Sequence, residues 1–237
     1  RHNDHIMKYL FFMIFMLQAC APAVYSKPDS SFYEVTSYSG KKKPFPKDSI
    51  FLGFEEDFDF DPKQLEVFKN VQSIEIRNPS FESSAAGRLP SWQSLEYLNL
   101  SDSGVTELSF TGKFPKLASI ILNRTKVSEI SSVSRNIPLT RLEAAESSLS
   151  NLSGIERFPF LRRLDIRKTR VKDISMLSKN KKLYEFRAGG TEIQNITALY
   201  GMTELTYFEA DNVSVTEESL KTLLSFNPYV KIVRRGR

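Results

Sequence analysis

The chain has 237 residues, with 33 Lys and Arg against 28 Asp and Glu, for a formal net charge of +5. The two signs are mixed along the sequence without a basic patch, which argues against a nucleic-acid-binding protein. The single cysteine, Cys20, and both histidines, His2 and His5, lie near the start. If that segment is removed, the mature chain lacks Ser-His-Asp and Cys-His nucleophilic machinery, His-ligated zinc and disulfides.

The first recognisable segment starts at Met7 and reads MKYLFFMIFMLQAC, ending at Cys20. Its apolar run from Tyr9 to Leu17 follows a lysine and is too short to span a bilayer, which is typical of a secretory signal peptide. The final Leu-Gln-Ala-Cys resembles the lipobox of bacterial lipoproteins, which implies cleavage before Cys20 and its acylation.

The alternative is an ordinary signal peptide cut near Ala21 or Ala23, with Cys20 incidental. Residues 1–6, RHNDHI, belong to neither interpretation, and we expect them to be a non-native leader. Residues 1–20 are therefore interpreted as this leader plus a lipoprotein signal peptide.

The next two segments precede the regular part of the chain. Residues 21–48 contain SKPDSS and SYSGKKKPFPKD and show little apolar periodicity, so we expect a flexible tether. Residues 49–70 include SIFLGF, EEDFDFDP and PKQLEVFKN, in which Asp61 suits the cap and Pro62 the first turn of a helix. We expect residues 49–70 to form an N-terminal cap over the repeats that follow.

One pattern then recurs six times, from Leu95 to Leu205, with a constant period of 22 residues. Its template is L-x-x-L-x-[LIA]-x-x-[TS]-x-[VIL]-x-x-[IL]-x-x-[VIL], and the clearest copy, at Leu161, is LRRLDIRKTRVKDISML. Burying its apolar side chains yields roughly 1.5 to 3 kcal/mol each, whereas ordering its backbone costs about 1 to 2 kcal/mol per residue. One copy cannot fold alone, so the pattern predicts a solenoid of stacked units.

The array has irregular ends. A degenerate copy at Val71 extends the repeats to residues 71–215. After them, the helical pattern SLKTLLSF and a final strand predict a C-terminal cap at residues 216–233, followed by a basic tail at 234–237. The whole domain is thus predicted to cover residues 49–233.

The L-x-x-L-x-L core resembles a leucine-rich repeat, and the 22-residue period is similar to the internalin-like bacterial class. The Asn that usually follows the strand in that family is replaced by hydroxyl residues, which can also bond nearby backbone: Thr125, Ser147, Thr169 and Thr191. The resemblance implies an α/β solenoid, a curved array with short parallel strands on its concave face and short helices, 3-10 turns or loops on its convex side. It also implies that the concave face binds proteins.

Strand alternation places the third, fifth and seventh residues of each repeat on the concave face. Arginines and tyrosines are enriched at binding hot spots, and the centre of this face has four arginines interleaved with three acids and flanked by tyrosines. Ile121 is expected to be exposed among them. The predicted binding residues are Tyr97, Ile121, Arg141, Glu143, Arg163, Asp165, Arg167, Glu185, Arg187 and Tyr207.

The same face admits three other interpretations. Cross-strand charges could pair only to keep the sheet soluble. Glu143 and Asp165 could form the carboxylate pair of a hydrolase, although adjacent arginines would lower the pKa that such an acid needs raised. Tyr97, Tyr207 and Trp92 could bind carbohydrate.

The sequence therefore predicts a non-enzymatic protein-interaction module that needs no cofactor or metal and does not bind nucleic acid. We expect it to be anchored to a bacterial cell envelope by a lipid on Cys20, at the outer membrane or cell surface. Its partner would be a host or matrix protein bound in adhesion. The alternative is a periplasmic structural or assembly scaffold that binds an envelope protein.

Overall fold

The computed structural model describes residues 31–234 of the chain. Within them, nine strands form one parallel sheet in sequence order, and two earlier strands form a separate hairpin. The hairpin strands are β1 (Phe32–Thr36) and β2 (Lys42–Pro46). The sheet strands are β3 (Phe51–Phe54), β4 (Ser73–Ile76), β5 (Tyr97–Asn99), β6 (Ser119–Ile121), β7 (Arg141–Glu143), β8 (Arg163–Asp165), β9 (Glu185–Arg187), β10 (Tyr207–Glu209) and β11 (Lys231–Val233).

The strands pair in register, so that the same template position stacks from repeat to repeat. The second conserved apolar residue of each copy lies at the centre of its strand and is almost fully buried: Leu98, Ile120, Leu142, Leu164, Phe186 and Phe208. The rings of the last two stack with centroids 5.5 Å apart and planes 4° apart. The predicted solenoid is confirmed.

Short helices lie on the other side of the core from the sheet. The α-helices are α1 (Ser83–Ala86) and α2 (Glu217–Phe226). The 3-10 helices span Pro62–Val67, Ser109–Lys113, Ile155–Arg157, Ser175–Lys179 and Thr197–Leu199. One continuous apolar cluster fills the space between these helices and the strands.

In the six regular repeats, a residue in the left-handed conformation lies three positions after the end of the strand, and these residues recur every 22 positions. In the first five of these repeats, the backbone N–H of the left-handed residue donates to a carbonyl in the next repeat, as Asp102 does to Asn123 at 2.9 Å and Lys168 to Gly189 at 2.8 Å. A left-handed non-glycine residue costs roughly 1 to 2 kcal/mol, which these inter-repeat bonds offset. The residues are Asp102, Arg124, Glu146, Lys168, Gly190 and Asn212.

The hydroxyl residues that replace the family's Asn close the same turns. Thr169 Oγ1 donates to the Ile166 carbonyl at 2.7 Å, and Thr125, Ser147 and Thr191 donate to the carbonyl three residues earlier in the same way. These hydroxyls satisfy buried carbonyls that no strand partner reaches.

The predicted tether at residues 21–48 is wrong for its second part. Residues 32–46 form the hairpin, whose Val35 and Phe45 are buried in the main core. The Gln64 side chain fixes this hairpin, because its amide accepts from the Thr36 N–H and donates to the Thr36 carbonyl, both at 2.8 Å. The rest of the predicted tether lies outside the described residues, as does Cys20.

Ion pairs form within the hairpin and between the hairpin and the N-terminal cap. The lysine run at 41–43 meets the acidic residues of the hairpin and cap, as Lys42 Nζ lies 2.9 Å from Glu34 and Lys43 Nζ 2.8 Å from Glu55. Lys41 pairs with Asp57. Each lysine of the run at 41–43 is therefore paired with a carboxylate.

The two ends of the array are closed by capped helices. At the N-terminal end, the Asp61 side chain accepts from the Lys63 N–H and Pro62 occupies the first turn, as predicted. At the C-terminal end, Thr216 Oγ1 accepts from the Ser219 N–H at 3.1 Å and starts α2. Across residues 31–234, no helix combines the length and apolar character needed to cross a bilayer.

Truncating a stacked core residue tests the packing of the array. Leu164→Ala should lower the free energy of unfolding by about 2 to 5 kcal/mol, because Leu164 is fully enclosed and leaves a cavity. Leu224→Ala is the matched control, since Leu224 lies exposed on α2. Urea unfolding of both variants measures the difference, and equal losses would contradict the assignment of faces.

The Asp102 carboxylate, in the first of the left-handed turns, should make the stability of the fold depend on pH in acid. Asp102 accepts from Arg124 Nε at 2.5 Å and from Arg77 at 3.2 Å, and these hydrogen bonds hold the pKa of Asp102 below its ordinary 3.8. A lowered folded-state pKa stabilises the fold above the unfolded-state pKa, and this contribution is lost as pH falls through the folded-state pKa. Asp102→Asn, which tolerates the left-handed conformation, should be destabilising at neutral pH and progressively less so in acid.

Urea midpoints of the wild type and Asp102→Asn, compared from neutral pH down to the lowest pH at which both fold, check this expectation. A difference that stays constant across that range would show that the carboxylate charge contributes nothing.

Candidate functional site

The predicted concave residues come together on β7, β8 and β9. Arg141, Glu143, Arg163 and Arg187 lie at the outward positions of these strands, and the set borders an open depression of about 350 Å³. Asp165, Arg167 and Glu185 also border this depression. Strand alternation places them on the face opposite the apolar core.

In-register stacking brings like charges side by side. Arg141 pairs in register with Arg163, and Glu143 with Asp165. Like charges directly opposite each other on adjacent strands are destabilising. The next pair of strands reverses the signs, since Arg163 meets Glu185 and Asp165 meets Arg187.

The like-charge contacts are compensated mainly along each strand rather than across it. Arg141 Nε donates to Glu143 at 2.7 Å, and Arg187 Nε donates to Glu185 at 2.7 Å. Residues two apart on a strand share a face, which makes such pairs possible.

Two further contacts complete the network. Arg167 donates two hydrogen bonds to Asp165, from Nε at 3.0 Å and from a terminal nitrogen at 2.6 Å. Arg163 Nε lies 3.1 Å from Glu185. We call the four arginines and three carboxylates of this network the guanidinium cluster.

Hydrogen bonding raises the pKa values of two of these arginines. The bonds from Asp165 raise the pKa of Arg167 despite the opposing effect of burial. Burial lowers the pKa of Arg187, but its hydrogen bond and charge interaction with Glu185 outweigh this and raise it. Both guanidinium groups therefore remain charged at any pH at which the protein folds.

Aromatic side chains flank the cluster unequally. The guanidinium of Arg187 lies 5.5 Å from the ring centroid of Tyr207, a cation–π contact. Tyr97 lies two strands before the first arginine, on β5, and is not part of the cluster. Burial, followed by the charge of Glu75, raises the pKa of Tyr97 to about 12, so its phenol stays neutral at physiological pH.

Tyr184 was not predicted as a site residue. Its ring lies 5.4 Å from the guanidinium of Arg162 and 5.2 Å from that of Arg163, and its hydroxyl accepts a hydrogen bond from Arg163. It occupies the second template position, at the edge of the strand, which the alternation rule does not count as outward. An aromatic residue one repeat after an Arg-Arg pair is the signal that could have identified it.

Two expectations about this face are wrong. Ile121, expected to be exposed, is only 4% exposed. Trp92 is buried, stacks on Phe114 and donates its indole N–H to the Phe68 carbonyl at 2.7 Å. Trp92 therefore cannot act with Tyr97 and Tyr207 in carbohydrate binding, because its ring serves the core.

The carboxylates of the face have no arrangement suited to a metal. Among residues 31–234, no group of three or more His, Cys, Asp or Glu side chains could hold an ion. Glu143 and Asp165 are neighbours, but each accepts hydrogen bonds from its own arginine.

Comparisons with known proteins support the fold. No protein-family model matches the sequence, and no curated protein matches it. The crystal structure of an internalin (inlF) from Listeria monocytogenes str. 4b F2365 matches with a TM-score of 0.61 at 16% identity, over 78% of this chain and 62% of that one. The chain therefore spans less than two thirds of the length of that structure.

Two further solved structures match in the same way. An internalin C2 (inlC2) from the same Listeria strain has a TM-score of 0.54 at 16% identity, over 75% of this chain and 86% of that one. A plant peptide hormone receptor, RGFR1 in complex with RGF2, has a TM-score of 0.54 at 15% identity, over 77% of this chain and 30% of that one. The chain thus has the fold of a leucine-rich-repeat solenoid.

Proposed function

We propose that this chain is a non-enzymatic module that binds another protein through its concave face. The observation that carries the proposal is the guanidinium cluster, which displays four half-exposed arginines from adjacent strands beside Tyr184 and Tyr207. Arginine and tyrosine combine contact area with directional hydrogen bonds, and both are enriched at binding hot spots. Side chains already fixed by hydrogen bonds lose less entropy when a partner binds.

An enzymatic role for the same face has less support. A catalytic carboxylic acid needs a raised pKa, which requires burial away from positive charge. Glu143 and Asp165 instead form ion pairs with Arg141 and Arg167. Recognition rather than acid catalysis is the chemistry that this arrangement favours.

We further propose that the module is a bacterial lipoprotein, anchored through Cys20 and displayed at the cell surface for adhesion to a host or matrix protein. The lipobox-like Leu-Gln-Ala-Cys motif supports the anchor. The two Listeria internalins share the fold of this chain, which is compatible with the proposed role. A periplasmic scaffold for envelope proteins is the competing role.

The binding proposal predicts a specific loss. Arg163→Ala with Arg187→Ala should leave the melting temperature nearly unchanged and weaken binding by at least about 2 kcal/mol, the typical size of a hot-spot effect. Binding of the labelled protein to cultured epithelial cells and to immobilised basement-membrane matrix measures it. Arg135→Ala with Arg170→Ala removes the same charge from exposed positions outside the cluster and should bind like the wild type. Equal binding by both variants would refute the proposal.

The anchoring proposal predicts an acylated N-terminus. Mass spectrometry of the protein purified from bacterial membranes should find a modified fragment beginning at Cys20, and Cys20→Ser should release the protein from the membrane. Protease added to intact cells should cleave a surface adhesin. Complete protection of an acylated protein would instead favour the periplasmic scaffold, and an unmodified N-terminus after Cys20 would exclude the anchor.

A further inference from the structure

We infer that the concave face recognises an acidic protein segment, one that places two or three carboxylates on the guanidinium cluster. This inference rests on the proposed binding function and adds the chemistry of the partner. The cluster has four arginines and three carboxylates, so its net charge alone does not favour an acidic partner. The inference depends instead on which of the two kinds of group lies nearer the solvent.

The carboxylates form the floor of the cluster and the guanidinium groups form its surface. The side chains of Arg141, Arg163, Arg167 and Arg187 are 33%, 40%, 38% and 37% exposed. The acids bonded to them are covered, with Glu143 at 21%, Glu185 at 16% and Asp165 at 7%. A partner that approaches this face therefore meets positive charge first.

The hydrogen bonds within the cluster leave the guanidinium groups able to bind a second acid. A guanidinium has five N–H donors in a planar fork, and the bonds to Glu143, Asp165 and Glu185 use Nε and at most one terminal nitrogen of each arginine. The outer edge of such a fork matches a carboxylate in two parallel hydrogen bonds. Because the floor acids hold the forks in place, little ordering is needed on binding.

The size of the cluster favours a short acidic segment over a long polyanion. Its arginines span three strands, or about 10 Å across the sheet at a spacing of about 4.8 Å. Towards β6 the face becomes uncharged, with Ser119 and Ile121 at the outward positions. Towards β10 it becomes acidic, with Glu209 at the outward position beside Arg187. A sulfated polysaccharide or nucleic acid crossing the face would leave the positive region within a few residues.

Selection from a random peptide library displayed on phage tests the inference with the full chain as bait. The selected peptides should contain at least about twice the Asp and Glu content of the input library, because acidic partners gain from charge complementarity. Synthetic versions should bind Arg163→Ala/Arg187→Ala at least about tenfold more weakly than the wild type. They should bind the control Arg135→Ala/Arg170→Ala within about twofold of the wild type, since surface charges outside an interface contribute little.

A second variant separates charge from fork geometry. Arg163→Lys/Arg187→Lys keeps the charge and loses the planar fork, so it should lie between the wild type and the alanine variant. Full recovery by lysine would show that only charge matters and would overturn the bidentate recognition proposed here.

The remaining outcomes distinguish this inference from the proposed function. Peptides that require the two arginines but carry no excess of acidic residues would overturn the acidic partner and leave protein binding intact. Peptides whose binding ignores the arginines would overturn both. Arginine-dependent retention on heparin, without acidic peptides in the selection, would assign the cluster to a sulfated polysaccharide and overturn the inference.

Discussion

The structure depends on in-register hydrogen bonding between successive repeats. A single repeat has one three-residue strand, one turn and about six apolar side chains, too few to offset its ordering entropy. Its strand, its left-handed turn and its helical segment all find their partners in the neighbouring repeats, as Asp102 does in Asn123. The 22-residue period keeps these contacts aligned through the regular copies. At the two ends of the array the spacing is longer, yet Ser73 still pairs with Tyr97 and Tyr207 with Lys231.

The same register decides the chemistry of the concave face. Stacking identical template positions about 4.8 Å apart brings any two charged residues at one position into contact, as with Arg141 and Arg163. The chain compensates this repulsion with a carboxylate beside each arginine: Arg141 pairs with Glu143 on its own strand, and Arg163 pairs with Glu185 on the next strand. Stability and recognition are thereby divided by depth, because the buried acid compensates the charge and the outer guanidinium remains available for binding.

The repeat array was predictable because the template states both the period and the side that faces the core. The hairpin was not predictable from the sequence. Its Pro and Lys residues are typical of a solvated linker, and its position depends on a contact between residues far apart in the chain, Thr36 and Gln64. For the site, alternation identified the arginines and acids but not their depth. It also missed Tyr184, and it overestimated the exposure of Ile121, because alternation gives the side of the sheet on which a side chain lies and not how much of it its neighbours cover.

The hairpin starts at Phe32, which sets the length of chain available to the proposed lipid anchor. If a lipid is attached to Cys20, only residues 21–31 connect it to β1, and eleven residues reach at most about 40 Å when fully extended. The guanidinium cluster starts four strands beyond β3, which adds roughly 20 Å along the array. The guanidinium cluster would then lie within about 60 Å of the bilayer, so a partner would have to approach the membrane to that distance.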